Sequence, residues 1–86
     1  MAKVTPESLH PIHSRMGRAA LHWTTQQLGE AAGLTASNVR KFEHGRGLGD
    51  DARRALIDAL DGAGVDLLNG KRPGARLRSM PCEGEA

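Results

Sequence analysis

Apolar residues between Pro11 and Trp23 fall at Ile12, Met16, Ala19, Ala20 and Trp23, the spacing that turns one face of a helix inward. The pattern predicts a first helix over about 11–22, with Pro11 at the first helical position, where its missing N–H is harmless. Gly17 weakens that helix, because an interior glycine costs roughly 1 kcal/mol relative to alanine. Thr24-Thr25-Gln26-Gln27 then has the form of a capping box: the Thr24 hydroxyl faces an N–H three residues on, and Gln27 reaches back. A second helix therefore begins there, turns Leu28, Ala31 and Ala32 inward, and stops at Gly33, which takes a left-handed conformation at little cost. Thr35 is a second N-cap, opening a third helix from Ala36 to about His44 that Gly45, Gly47 and Gly49 end. Asp50 caps a fourth, with Ala52, Leu56, Ile57, Leu60 and Ala63 as its apolar stripe and Arg53, Arg54, Asp58 and Asp61 facing water.

Beyond Gly64 the period changes from helical to alternating. Val65-Asp66-Leu67 and Ala75-Arg76-Leu77-Arg78, separated by a loop containing Asn69-Gly70 and Pro73-Gly74, read as a short β-hairpin. An isolated hairpin is marginal in water, so this one must lean on the helices or join a partner chain's strands. The expected organisation is an N-terminal arm over 1–10, whose Thr5-Pro6-Glu7 can start a short turn; a helical domain over 11–64; a β extension over 65–78 that can dimerise; and a disordered tail over 79–86. The fold class expected is an all-α bundle of four main helices with a short C-terminal β-hairpin.

Two short helices joined across Gly33-Leu34 must cross steeply, because so short a turn leaves no room for antiparallel stacking. Such a crossing needs small residues at the contact, which Gly29 and Ala32 supply, with Leu28, Leu34, Val39 and Phe42 closing the core behind. This is the recipe of a helix-turn-helix, whose second helix stands clear of the domain and enters the DNA major groove. With Val39 and Phe42 inward, Ser37, Arg40, Lys41 and His44 point outward, flanked by Ala36 and Asn38. Asn38 suits adenine, Arg40 or Lys41 suits guanine or phosphate, and Ala36 suits a thymine methyl. The free N–H groups of Ala36 and Ser37 suit a phosphate oxygen, and Arg46 just beyond the helix is a further phosphate candidate.

Composition sharpens this picture and excludes rivals. The 86 residues suffice for one modest core, and with 38% apolar and 26% charged residues the chain folds. Only Trp23 and Phe42 are large aromatics, which speaks against a β-sandwich. The net charge of +2 is too small to argue for a polyanionic partner, but its distribution is segregated: His10 to Leu48 carries +3, Asp50 to Leu68 carries −3. A further basic group follows at Lys71, Arg72, Arg76 and Arg78, expected to serve the hairpin in dimerisation with some contact to the DNA backbone. His10, His13 and His22 lack carboxylate or cysteine company and Pro11 disturbs their geometry, so no metal or other cofactor is expected. The single cysteine, Cys82, has no neighbouring base and fits a reducing compartment. No phosphate-binding glycine loop, acid/base pair or membrane-length apolar run occurs; the reading is a cytoplasmic protein that is not an enzyme and takes no small-molecule substrate.

The stretch Arg18 to Gly45, RAALHWTTQQLGEAAGLTASNVRKFEHG, resembles the Cro/repressor-type, or Xre-like, helix-turn-helix transcriptional regulators. Gly29 matches that family's small residue in its second helix, Gly33 its turn glycine, Val39 its β-branched core residue, and Glu43-His44-Gly45 its Glu-x-Gly ending. The C-terminal AGVDLL and PGARLR also resemble a subset of small members with a short β extension. The resemblance implies a lambda-repressor-like bundle that binds double-stranded DNA, regulates transcription, for instance as a repressor, and acts as a homodimer. It implies DNA contacts by Thr35, Ala36, Ser37 and Lys41, and an Arg18–Glu43 ion pair that sets Arg18 near the DNA backbone. A partly exposed pair of that kind contributes about 0.2–1 kcal/mol. One departure stands out: where the family has Ser-Gln to bind phosphate, this chain has Thr24-Thr25, so Thr25 is too short for that contact and Gln26 is the substitute. The alternative is a protein-binding adaptor or antitoxin-like module built on the same fold.

Overall fold

The computed structural model describes residues 4–68 and 73–78. Four helices, α1 (Pro11–Leu21), α2 (Thr25–Ala32), α3 (Ala36–Glu43) and α4 (Asp50–Gly62), precede a two-stranded antiparallel sheet of β1 (Val65–Leu68) and β2 (Gly74–Leu77). Val65 pairs with Leu77 and Leu67 with Ala75, so these four share the face that packs on the helices, β1 against α4 and β2 against α1. The tail over 79–86, Cys82, Lys71 and Arg72 lie outside the described residues.

The core gathers Leu28, Val39, Phe42, Leu56, Leu60, Val65 and Leu67, joined by Val4 and Leu9. Burying each of the larger side chains contributes about 1.5–3 kcal/mol, a sizeable share of the roughly 5–15 kcal/mol by which a domain is stable. The described part of the expected arm, residues 4–10, is therefore packed on the bundle. Val4 and Leu9 seal the bundle, and a 3-10 turn at Pro6–Ser8 between them packs on α4. Arg53, expected in water, holds this segment down: its Nη1 donates to the carbonyls of Pro6 (2.8 Å) and Leu9 (3.4 Å), its Nε to that of Leu48 (3.1 Å). The guanidinium also lies 5.3 Å from the centre of the Phe42 ring, a cation–π distance.

The expected face of α1 is corrected as well. Ile12 is 43% exposed, while His13, Ser14 and Gly17 are buried. Hydrogen bonding explains the inversion, since a buried polar group is tolerated when its partners are supplied. His13 Nδ1 accepts the His10 N–H at 2.9 Å, so Nε2 carries the proton and donates to the Leu68 carbonyl, also at 2.9 Å. One imidazole thus caps its own helix and ties it to the end of β1. Burial pushes the His13 pKa below its ordinary value; the bond to Leu68 opposes that and the neighbouring His10 adds to it. Gly17 is small for a reason: a Cβ there meets Leu60 Cδ2 at 2.8 Å.

Two smaller differences concern caps and faces. The N-cap of α4 is Gly49, with Asp50 the first helical residue, where its charge still faces the positive end of the helix dipole. Ala31 is exposed, leaving Leu28 and Gly29 as the buried residues of α2.

Candidate nucleic-acid interface

Three local signals hold α3. Thr24 Oγ1 accepts from the Gln27 N–H (3.1 Å) while Gln27 Oε1 accepts from the Thr24 N–H (2.8 Å), so the expected capping box opens α2. Gly33 ends α2 with φ 74°, and Thr35 Oγ1 then accepts from the Asn38 N–H at 3.1 Å, opening α3. The crossing between them is tight at Gly29, where a Cβ would stand 2.7 Å from the Leu34 carbonyl oxygen. Because the turn and crossing fix the axis of α3, Val39 and Phe42 enter the core and Ser37, Arg40, Lys41 and His44 remain exposed.

The C-terminal end of α3 folds back. Gly45 adopts φ 90°, its N–H donates to Phe42 O (3.0 Å), and the Arg46 N–H donates to Lys41 O (2.9 Å). That is a Schellman ending, in which the second residue past the cap usually makes an apolar contact with the helix. Here that residue is Arg46, and it returns to the face carrying Lys41. Ser37, Arg40, Lys41, His44 and Arg46 line one shallow cavity of about 280 Å³. No carboxylate lines it, and among the described residues none forms a salt bridge to Arg40, Lys41 or Arg46. Like charges held together without a counter-charge are unfavourable, which favours an anionic occupant.

Other expected site residues lie apart. Thr35 is exposed with its hydroxyl engaged in the cap; Ala36 and Asn38 are half-buried on the flanks of α3. Thr25 is half-buried at the start of α2, and the exposed Gln26 has its Nε2 3.4 Å from Glu30 Oε2.

Arg18 makes the expected pair, with a carboxylate partner that is more deeply buried than expected. Its Nε and Nη2 donate to Glu43 Oε2 (2.8 Å) and Oε1 (2.7 Å), and its Nη1 to the Trp23 carbonyl (3.1 Å). The expected pair exists, but Glu43 is only 5% exposed and the pair is no surface bridge. Burial pushes the Glu43 carboxyl up; hydrogen bonds from Arg18 and Ser14, with the charges of Arg18 and Arg15, outweigh it and hold the group below its ordinary value. The Arg18 guanidinium is correspondingly held above its ordinary value by Glu43. Two members of this cluster were not singled out from the sequence: Ser14 Oγ donates to Glu43 Oε2 at 2.5 Å, and Arg15 Nη2 to the Glu43 carbonyl at 2.6 Å. Their spacing from Arg18 along one helix face was the available signal.

No protein-family model matches the chain, and no curated protein does. Among the described residues no helix is long and apolar enough to cross a membrane.

Proposed function

We propose that this protein is a sequence-specific DNA-binding transcriptional regulator of lambda-repressor-like, helix-turn-helix architecture, with α3 as its recognition helix. The observation that carries the reading is the exposed cationic cavity along α3, held clear of the core by the close crossing at Gly29 and lined by no carboxylate among the described residues. Arg40, Lys41 and Arg46 neutralise backbone phosphates and supply most of the affinity, with His44 beside them. Bases are read from the first turns of α3, Ala36, Ser37 and Asn38, and from Lys41. Thr25, Gln26 and Thr35 stand at the N-terminal ends of α2 and α3, where helix dipoles favour phosphate oxygens.

One such helix per chain makes few base contacts, so the working form in this reading is a homodimer in the cytoplasm on a palindromic site. The sheet supports a dimerising role: with two strands, both its outer edges are unpaired among the described residues. Half-sites about one helical turn apart follow from two-fold pairing. Selecting genomic fragments bound by the protein and sequencing them tests the proposal. A shared palindromic element is expected, and recovery of fragments without any common sequence contradicts sequence-specific binding.

A further inference from the structure

We infer that Arg15 is the cation through which α1 meets the phosphate backbone, and that Arg18, one turn further on, takes no part in that contact. The inference rests on the DNA-binding reading and extends its surface from α3 onto a second helix. Both arginines lean on Glu43, but in different ways. Arg18 takes both carboxylate oxygens and a backbone carbonyl, and its side chain is 22% exposed. Its charge is cancelled at contact distance by a buried carboxylate, and three of its five N–H groups are engaged.

Arg15 is 48% exposed, and its Nε is 3.8 Å from Glu43 Oε1, beyond hydrogen-bond reach. What fixes it is the Nη2 bond to the Glu43 backbone carbonyl at 2.6 Å. A carbonyl at a helix C-terminus carries only partial negative charge, so it positions the guanidinium without neutralising it. Arg18 takes both carboxylate oxygens in hydrogen bonds while Arg15 keeps only a longer 3.8 Å ion pair, so the cluster of Arg15, Arg18 and Glu43 carries a net charge of +1 whose exposed part is on Arg15. The carbonyl that holds Arg15 belongs to the residue before His44, where the cavity rim begins. On the exposed side of α1 and its C-cap, formed by Ile12, Arg15, Ala19 and His22, Arg15 is the one permanent cation. The surface facing a polyanion therefore runs from Ser37 along Lys41 and Arg46 to a guanidinium ordered in advance, so little freedom is lost when phosphate binds.

The test compares wild type, Arg15→Gln and Arg15→Lys for binding to a duplex fragment between about 50 and 200 mM salt, with a thermal melt of each. Arg15→Gln is expected to bind more weakly and to lower the magnitude of the log K against log salt slope by about 1, while Arg15→Lys keeps the slope. Tm should stay within a few degrees for both. An unchanged slope in Arg15→Gln overturns the inference, as does a loss of affinity that only follows a loss of Tm. In the wild type, the 15N resonance of Arg15 Nε should move on adding duplex while that of Arg18 Nε stays; the reverse also overturns it. Wild-type protein that fails to bind duplex at all removes the DNA-binding reading itself, a result distinct from tight binding indifferent to Arg15.

Discussion

Glu43 and Arg18 meet through two parallel hydrogen bonds of 2.7 and 2.8 Å, joining the end of α3 to the last turn of α1 across 25 residues of sequence. Removing one partner of a buried pair costs about 3–5 kcal/mol when the other charge is left uncompensated; here the Ser14 hydroxyl and the Arg15 charge still face Glu43, which places the cost at the lower end. Arg18→Ala is expected to lower unfolding free energy by that order in urea melts. Arg18→Met combined with Glu43→Leu should cost much less than Arg18→Ala, because no charge is then stranded. A loss below about 1 kcal/mol for Arg18→Ala puts the pair among weak surface bridges.

Among the described residues, His13 and Glu43 carry lowered values that make stability depend on pH. His13 has a lowered pKa in the folded state, so below about 6.5 the unfolded chain binds more protons; the stability from neutral His13 is present above that value and lost as pH falls through the folded one. Protonation also sets an N–H on Nδ1 against the His10 N–H it now accepts. Glu43 acts in the same direction at lower pH: its contribution is present above its ordinary value near 4.5 and lost as pH falls through its depressed folded value. Urea melts should show stability declining from about pH 6.5 downward, with the upper part of the decline absent in His13→Gln. Equal pH dependence in wild type and His13→Gln contradicts this assignment.

Gly29 and Gly17 are both buried in helices, yet they should differ in tolerance. A Cβ on Gly29 meets backbone, the Leu34 carbonyl oxygen at 2.7 Å, whereas one on Gly17 meets the movable end of Leu60 at 2.8 Å. Gly29→Ala is expected to destabilise by about 1–3 kcal/mol through overpacking of the α2–α3 crossing. Gly17→Ala should cost less, because Leu60 can shift and alanine recovers up to about 1 kcal/mol of helix propensity. Equal losses in thermal melts contradict the assigned crossing.

Gly45 turns Arg46 back toward Lys41 with φ 90°, and a Cβ there has open space around it. Gly45→Ala is therefore a backbone perturbation, costing about 1–2 kcal/mol. In the DNA-binding reading it weakens duplex binding beyond what the stability loss explains, since Arg46 leaves the cavity. Unaltered affinity at a temperature where the variant is fully folded removes Arg46 from the surface.

What was legible in the sequence is what neighbouring residues decide among themselves. The box at Thr24 and Gln27, the stop at Gly33, the cap at Thr35 and the period change at Val65 are local, and the structure has each of them. The face of α1 was not legible, because hydropathy treats His13 and Ser14 as solvent-seeking and cannot see the Leu68 carbonyl and Glu43 carboxylate that satisfy them. Arg53 misled for the same reason, since two of its three acceptors, the Pro6 and Leu9 carbonyls, lie more than forty residues back in the chain. In the candidate site, the outward row of α3 followed from Val39 and Phe42 turning in. The Arg18–Glu43 pair was legible from the resemblance, whereas Arg15 was not, because its partner is the Glu43 backbone carbonyl rather than a side chain whose charge the sequence displays.

The most direct test of the central claim is the salt dependence of duplex DNA binding by the intact protein. Fluorescence anisotropy against genomic fragments at about 50 and 200 mM salt should show affinity falling by orders of magnitude if roughly six or more phosphates are neutralised, with Lys41→Ala binding more weakly at unchanged Tm. Absence of binding at low salt, or affinity nearly independent of salt and of Lys41, contradicts the account.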